Sequence, residues 1–219
     1  MIAAWTPSGG PEEYAVSFDR GRDRRLLVLP ALFDEANKLR HLTVEVMRRL
    51  DAGGTDSFLP DLPGCNESGA PLQAQDLAGW TMQATQACQY FGASHVLAIR
   101  GGALLAPDGM PGWSYAPAKG QALLGTMLRA RVVAAREAGR EETRDALLAK
   151  GIAEGLTLAG HRLGARMIAQ LQVAGPVPGL DPIAQGDIGG AGPWLRAEPG
   201  FDAAQADALA QRLLQGLAA

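Results

Sequence analysis

The sequence predicts an α/β protein whose central sheet is mostly parallel and carries helices on both faces. Two continuous apolar runs, at residues 26–29 and 95–99, have the composition of strands that are buried on both sides. A further short strand is predicted at 57–61, and the stretches at 34–50 and about 72–90 between these strands have apolar residues at helical spacing. Strands joined by helical crossovers of this length form a parallel sheet.

The remaining elements of the first half have weaker signals. Residues 14–18 alternate between apolar and polar side chains, which predicts an outer strand, and a charged turn follows at 19–25. The helix over 34–50 is expected to end at Gly53 and Gly54, because glycine is common just past a helix C-terminus. A turn is predicted at 62–68, before the second helix.

The second half departs from strict alternation of strand and helix. The patterns predict a strand at 113–116, helices at 121–136 and 141–150, a tight hairpin at 156–163 and a helix at 165–171. A loop rich in Gly and Pro is predicted at 175–192, and a closing helix at 201–217. We expect one domain over residues 1–219, with a cap-like helical insertion at about 120–173 that lies over the sheet.

Composition excludes several classes of protein. The chain has 219 residues, with 20 Lys and Arg against 23 Asp and Glu, so a general nucleic-acid binder is not expected. No apolar run approaches the ~20 residues of a membrane span, and the first residues do not resemble a secretory signal, so we expect a cytoplasmic protein. Cys65 and Cys88 are too few for a disulfide framework or a zinc site, and we expect no metal and no cofactor.

The strand that ends at Ile99 runs into a turn typical of a nucleophile elbow, but with the wrong residue. Ala98-Ile99-Arg100-Gly101-Gly102 stands where a serine hydrolase has G-x-S-x-G. Arginine is charged at every working pH and cannot be a nucleophile. The histidines are His41, His95 and His161 only, and none follows where the triad histidine of that fold would come. A Ser-His-Asp triad is therefore not identifiable.

Three blocks of the sequence carry a resemblance to a known family. They are L-F-D-E-A-N-K-L-R-H at 32–41, D-L-P-G-C-N-E-S at 61–68 and A-I-R-G-G-A-L-L at 98–105. The chain is similar to the exosortase A system-associated hydrolases of the second type, whose elbow also tends to hold arginine, and the resemblance covers most of the chain. It implies an α/β-hydrolase fold and a role linked to exopolysaccharide production and exosortase sorting. Ala98 departs from the family's first elbow glycine, and Asn66-Glu67 departs from Gly-Asp.

From these residues three functions remain open. The first is a catalytically silent protein, a pseudoenzyme, that binds an anionic or saccharide-like ligand, or a protein partner of the exopolysaccharide system. The residues expected to bind the ligand come from the ends of the two central strands and the helix start that follows the first: Phe33, Glu35, Asn37, Lys38, Arg100 and Gly101. Arginine suits a carboxylate or phosphate, although Glu35 is an alternative internal partner for Arg100.

The second function is an active hydrolase, with esterase-like or acyl-transfer activity and a non-standard nucleophile. Its candidates are Ser68, Cys65, or Glu35 acting with a water. A serine in such a turn more often caps it through the hydroxyl, and a cysteine more often packs as a small apolar side chain. The third function is a structural accessory subunit whose insertion forms a protein-binding face.

Overall fold

The computed structural model describes residues 2–7 and 9–218. Within them a central sheet of seven strands and a separate hairpin are found. The sheet strands are β1 (Ile2–Trp5), β2 (Glu13–Phe18), β3 (Arg25–Leu29), β4 (Asp56–Pro60), β5 (His95–Ile99), β6 (Gly112–Tyr115) and β9 (Asp181–Ile183), and the hairpin consists of β7 (Leu156–Leu158) and β8 (His161–Leu163).

The strand order is β1-β2-β4-β3-β5-β6-β9. Strands β4, β3, β5, β6 and β9 are mutually parallel. On the other side of β4, β2 pairs antiparallel with β4, and β1 pairs antiparallel with β2. The prediction of a mostly parallel sheet is confirmed.

Helices cover both faces, as predicted. They are α1 (Asp34–Ala52), α2 (Leu77–Tyr90), α3 (Gly120–Glu137), α4 (Arg144–Glu154), α5 (Ala165–Val173), α6 (Gln185–Ile188) and α7 (Ala203–Ala218). In β3, Leu26 and Val28 pack in a core shared with α1 and α7. Leu27 and Leu29 point to the opposite core, which is shared with α2, α3 and α5. Successive side chains of a strand face opposite sides, so the continuous apolar run of β3 serves both cores.

The structure corrects three predictions about individual elements. β2 is not the outer strand, because β1 pairs along its free edge. α2 begins at Leu77 rather than near Leu72, since the Asp76 carboxylate caps it by accepting a hydrogen bond from the Gly79 N–H at 2.7 Å. The segment 175–192, predicted to be a loop, contains the edge strand β9 and the short helix α6.

The connection from β6 to β9 contains α3, α4, the β7–β8 hairpin and α5. It includes the segment predicted as an insertion. Leu124, Met167 and Leu171 of this connection are fully buried in the same core as α2. This connection therefore forms much of the layer on one face of the sheet. A helix long and apolar enough to cross a membrane does not occur among the described residues.

Candidate functional site

The central strands β3 and β4 are neighbours, but their connections leave to opposite faces of the sheet. The chain runs from β3 into α1 on one face and from β4 into α2 on the other. Such a divergence opens a crevice at the carboxyl ends of the strands, where ligands bind in open α/β sheets. A cavity of ≈ 380 Å³ lies at this position.

The walls of this cavity come from four stretches of the chain. The segment after β3 and the first turns of α1 supply Phe33, Asn37 and Arg40, among others. The turn after β4 supplies Cys65 and Asn66, and the β7–β8 hairpin supplies Ala159 and His161. Apolar side chains form much of the wall and a few polar groups converge on it, which is typical of small-molecule sites.

Phe33 lies in the cavity wall, immediately before α1. Its φ of 56° and ψ of −129° are unusual for a bulky residue, and they direct the chain from β3 into α1. The buried ring of Phe33 packs 5.8 Å from Trp80 and 5.8 Å from His161, measured between ring centroids. Backbone strain of this kind costs about 1–3 kcal/mol and clusters at functional sites.

A buried carboxylate organises the polar wall. Asp61, 4% exposed, accepts a hydrogen bond at Oδ1 from Asn66 Nδ2 at 2.7 Å. Arg40 Nη1 lies 3.6 Å from the same oxygen, and the Arg40 side chain keeps 39% of its surface exposed. Arg40 thus retains donors that are not engaged by Asp61. Asn37, one helical turn earlier, is exposed on the same cavity wall.

The elbow after β5 keeps its tight geometry. Arg100 has a φ of 51°, and a 3₁₀ turn runs from Arg100 to Leu104. A Cβ on Gly102 would lie 2.5 Å from the carbonyl oxygen of Leu29 and 2.7 Å from that of Pro30. The second elbow glycine is therefore required by the close approach of two backbones.

Each of the three nitrogens of the Arg100 side chain donates a hydrogen bond within the protein. Nε donates to Glu35 Oε2 at 3.0 Å, Nη2 donates to Glu35 Oε1 at 2.9 Å, and Nη1 donates to the Ala116 carbonyl at 2.8 Å. The guanidinium also lies 4.0 Å from the ring centroid of Trp194. The internal partner that the sequence offered for Arg100 is thus present.

Two leucine side chains pack directly against the first elbow glycine, Gly101. A Cβ on Gly101 would lie 2.7 Å from Leu123 Cδ1 and 2.9 Å from Leu32 Cγ. The cavity that these two leucines share with Glu35 measures ≈ 20 Å³, which is room for about one water.

The residues predicted to bind a ligand do not all converge. Phe33 and Asn37 line the main cavity, whereas Glu35 lines the ≈ 20 Å³ cavity and Arg100 borders an open hollow of ≈ 360 Å³ beside Ala116. Lys38 forms an ion pair with Asp34 at 2.8 Å. Asn37 and Lys38 both belong to α1, as the helix predicted over 34–50 implies.

Ser68 braces the turn after β4. Its hydroxyl accepts from the Gly64 N–H at 2.9 Å and donates to Glu13 Oε1 at 2.8 Å. Burial raises the pKa of the Cys65 thiol to about 12, and the nearby carboxylates of Asp61 and Glu13 add to this rise.

Each of the three histidines makes a ring contact with an aromatic side chain. His41 stacks on Phe201, His95 stacks on Trp113, and His161 packs against Phe33. Burial lowers the pKa of His161. Within the described part of the chain, no imidazole hydrogen-bonds Ser68 or Cys65, and no three potential ligands cluster to hold a metal ion.

Sequence reasoning did not assign Asn66 or His161 to a site, and it considered Arg40 only as part of the polar run at the start of the first helix. The spacing of Asn37 and Arg40 places them on one face of α1, which is a usable signal. Asn66 lies in the turn after a central strand, where residues of α/β sheets commonly bind ligands. His161 reaches the cavity only because the hairpin folds over it, and no local pattern carries that information.

Comparison with solved structures identifies the class of fold. The structure is similar to alpha/beta hydrolase domain-containing protein 10 from mouse, with a TM-score of 0.54 and 15% identity over 78% of this chain and 69% of that one. Other similar structures are alpha/beta hydrolase GrgF from Penicillium sp. sh18 (TM-score 0.47, 14% identity, 70% of this chain and 64% of that one) and the esterase EaEST from Exiguobacterium antarcticum (0.45, 14%, 59% and 55%).

The fold is therefore α/β-hydrolase-like, and at such low identity these similarities define the fold alone. The chain spans little more than half the length of the esterase. No protein-family model matches the chain, and no curated protein is significantly similar to it.

Proposed function

We propose that this protein binds a small anionic or saccharide-like ligand, or a partner that presents such a group, and does not use Ser-His-Asp catalysis. The observation that carries the proposal is the state of the elbow. Arg100 replaces the nucleophile and is held by Glu35, and Leu32 and Leu123 pack directly against Gly101. The fold thus keeps the backbone turn of the elbow, but the turn carries an arginine instead of a serine nucleophile.

The ligand then binds in the ≈ 380 Å³ cavity between the ends of β3 and β4. Arg40 supplies a partly exposed guanidinium for a carboxylate or phosphate, and Asn37 and Asn66 supply amides that suit hydroxyl groups. Phe33 supplies an aromatic wall. Glu35 and Arg100 act as positioning residues, since their ion pair ties the start of α1 to the end of β5.

The biological setting rests on the resemblance to exosortase-associated proteins. It supports a role linked to exopolysaccharide production, in which uronic acids and phosphorylated sugars are ligands of the required chemistry. From the sequence we also expect the protein to act in the cytoplasm.

Calorimetric titration tests the binding function. The probes are D-glucuronate, inorganic phosphate and D-glucose, each against the wild type, Arg40→Gln and the control Arg48→Gln, which alters an exposed arginine of α1 outside the cavity. We expect glucuronate or phosphate to bind, with an affinity that falls ~10-fold in Arg40→Gln and stays unchanged in the control. Absence of binding by every probe, or equal affinity in both variants, would refute the proposal.

Chemical labelling tests the alternative of an active hydrolase. At pH 8 a thiol with a pKa of about 12 has far less thiolate than an ordinary one, so iodoacetamide should react with Cys65 ~10³-fold more slowly than with an unstructured cysteine. We expect no fluorophosphonate adduct at Ser68 and no turnover of acyl esters. An adduct at either residue, with turnover lost in Ser68→Ala or Cys65→Ser, would establish catalysis instead.

A further inference from the structure

A second polar groove lies at the α3–α4 pair and shares no lining residue with the cavity proposed above. It measures ≈ 480 Å³ and is lined by Lys119, Arg129 and Arg144 together with small or uncharged side chains, which are Gln121, Ala122, Gly125 and Thr126. Within the described residues, none of the three cations forms an ion pair with a carboxylate. Arg129 donates only to the Thr126 hydroxyl, at 3.2 Å.

The charge of this region is opposite to that of the whole chain. Residues 119–150 contain seven basic and four acidic residues, a net charge of +3, in a chain whose net charge is −3. Of these four acids, Glu142 is bound by Arg131 through two hydrogen bonds of 2.6 and 2.8 Å. The groove therefore presents positive charge that no internal partner neutralises, and such a surface attracts anions.

The three cations form a row rather than a single pocket. Lys119 and Arg129 are ten residues apart at the two ends of the groove, which corresponds to about 15 Å along a helix. Arg144 reaches α3 between them, since its Nη2 lies 3.7 Å from the place of a Cβ on Gly125. A single phosphate cannot bridge this length, whereas a linear ligand with repeated negative charges can contact each cation in turn.

Gly125 leaves the floor of the groove open. It lies inside α3, where glycine weakens a helix relative to alanine. Packing does not require it, because the nearest atom to an added Cβ is the Arg144 terminus at an ordinary contact distance. The missing side chain lets a ligand approach the helix backbone between the cations.

The lining distinguishes among classes of polyanion. No aromatic side chain lines the groove, so the stacking platform that single-stranded nucleic acids use is missing. No large apolar side chain lines it either, which leaves nothing to insert into a lipid surface. Gln121 and Thr126 supply an amide and a hydroxyl between the charges, and these groups suit the hydroxyls of a sugar.

We infer that the α3–α4 groove binds a linear acidic polysaccharide, with carboxylates spaced along its chain paired to Lys119, Arg144 and Arg129. This site does not depend on the cavity between β3 and β4 or on the function proposed for it.

Fluorescence anisotropy with a labelled oligogalacturonate tests the inference. The groove variant is Lys119→Gln/Arg129→Gln/Arg144→Gln, and the matched control is Arg24→Gln/Arg162→Gln/Arg212→Gln, which removes the same charge from exposed arginines elsewhere. We expect the groove variant to weaken binding ~10-fold or more and the control to change it less than ~2-fold. Raising the salt from 50 to 200 mM should weaken wild-type binding.

A second variant keeps every charge. Gly125→Gln fills the floor of the groove and should also weaken binding, while Arg40→Gln in the other cavity should not. Circular dichroism confirms that each variant is folded. The inference would be overturned if the oligogalacturonate did not bind, if the control triple variant weakened binding equally, or if Gly125→Gln bound like the wild type. It would also be overturned if a neutral maltooligosaccharide bound comparably, or if oligo-dT or phosphatidylglycerol vesicles bound more tightly.

Discussion

The guanidinium of Arg100 meets both carboxylate oxygens of Glu35, with 3.0 Å from Nε to Oε2 and 2.9 Å from Nη2 to Oε1. The two side chains are only 16% and 15% exposed. This bidentate pair joins the turn after β5 to the first turn of α1. A position that presents a nucleophile in serine hydrolases thus serves here to connect two elements at the carboxyl edge of the sheet.

Replacing one partner of this pair should destabilise the protein strongly. We expect Arg100→Ala and Glu35→Ala each to lower the free energy of unfolding by about 3 kcal/mol, because each leaves a charged group desolvated without its partner. The double variant should lose clearly less than the sum of the two. Urea denaturation of the four proteins gives the coupling energy, and strict additivity would show that the ion pair does not contribute.

The elbow should not tolerate a side chain at its second glycine. A Cβ at position 102 would meet two backbone carbonyl oxygens at 2.5 and 2.7 Å, and neither can move without shifting β3. We expect Gly102→Ala to cost about 3 kcal/mol of stability or to prevent folding.

Gly186→Ala is the matched control for this substitution, since no atom lies within 4 Å of its Cβ position. Its stability in thermal or urea unfolding should equal that of the wild type or exceed it by up to about 1 kcal/mol, because Gly186 lies in α6 and alanine is the better helix former. A Gly102→Ala protein as stable as the control would mean that the elbow backbone is not packed as described.

Glu13 should make stability depend on pH in the direction opposite to most carboxylates. Burial raises its pKa above the ordinary value of 4.5, Ser68 opposes this rise and Asp61 adds to it. In the folded protein Glu13 therefore holds its proton to higher pH than in the unfolded chain. Stability is fully present below the unfolded pKa and falls as the pH rises through the folded pKa.

Glu13→Gln removes this titration. The variant should gain stability relative to the wild type between pH 4 and pH 8, as measured by urea denaturation at each pH. Glu13 Oε2 is buried without a hydrogen-bond partner, which is consistent with a protonated oxygen. A stability difference that stays constant over this range would contradict the raised pKa.

The sequence predicts well those elements that carry a clear local pattern of apolar residues. β3 and β5 are continuous apolar runs, and α1 carries its apolar residues at helical spacing, so their boundaries differ by only a few residues from those predicted. β9 has three residues, Asp181-Pro-Ile183, of which only the last is buried. Its place in the sheet comes from pairing with β6, and no local signal exists for such an edge strand.

The candidate site was only partly accessible to sequence reasoning for the same reason. The elbow and its arginine follow from one short motif, and Glu35, 65 residues earlier in the chain, is the internal partner that the sequence also indicated for Arg100. The cavity itself depends on how far apart the ends of β3 and β4 lie and on the hairpin that folds over them. His161 enters the wall through tertiary packing, which the hydrophobic period and the composition do not encode.

The β7–β8 hairpin forms one wall of the cavity and lies outside the central sheet. Ala159 and His161 face the cavity from a two-stranded ribbon that forms no strand pairing with the central sheet. Under the proposed function, substitutions at its tip alter which ligands bind while the pairing of β3, β4 and β5 stays intact. The strands of the same hairpin anchor that tip to the core, because Leu158 and Leu163 are buried there.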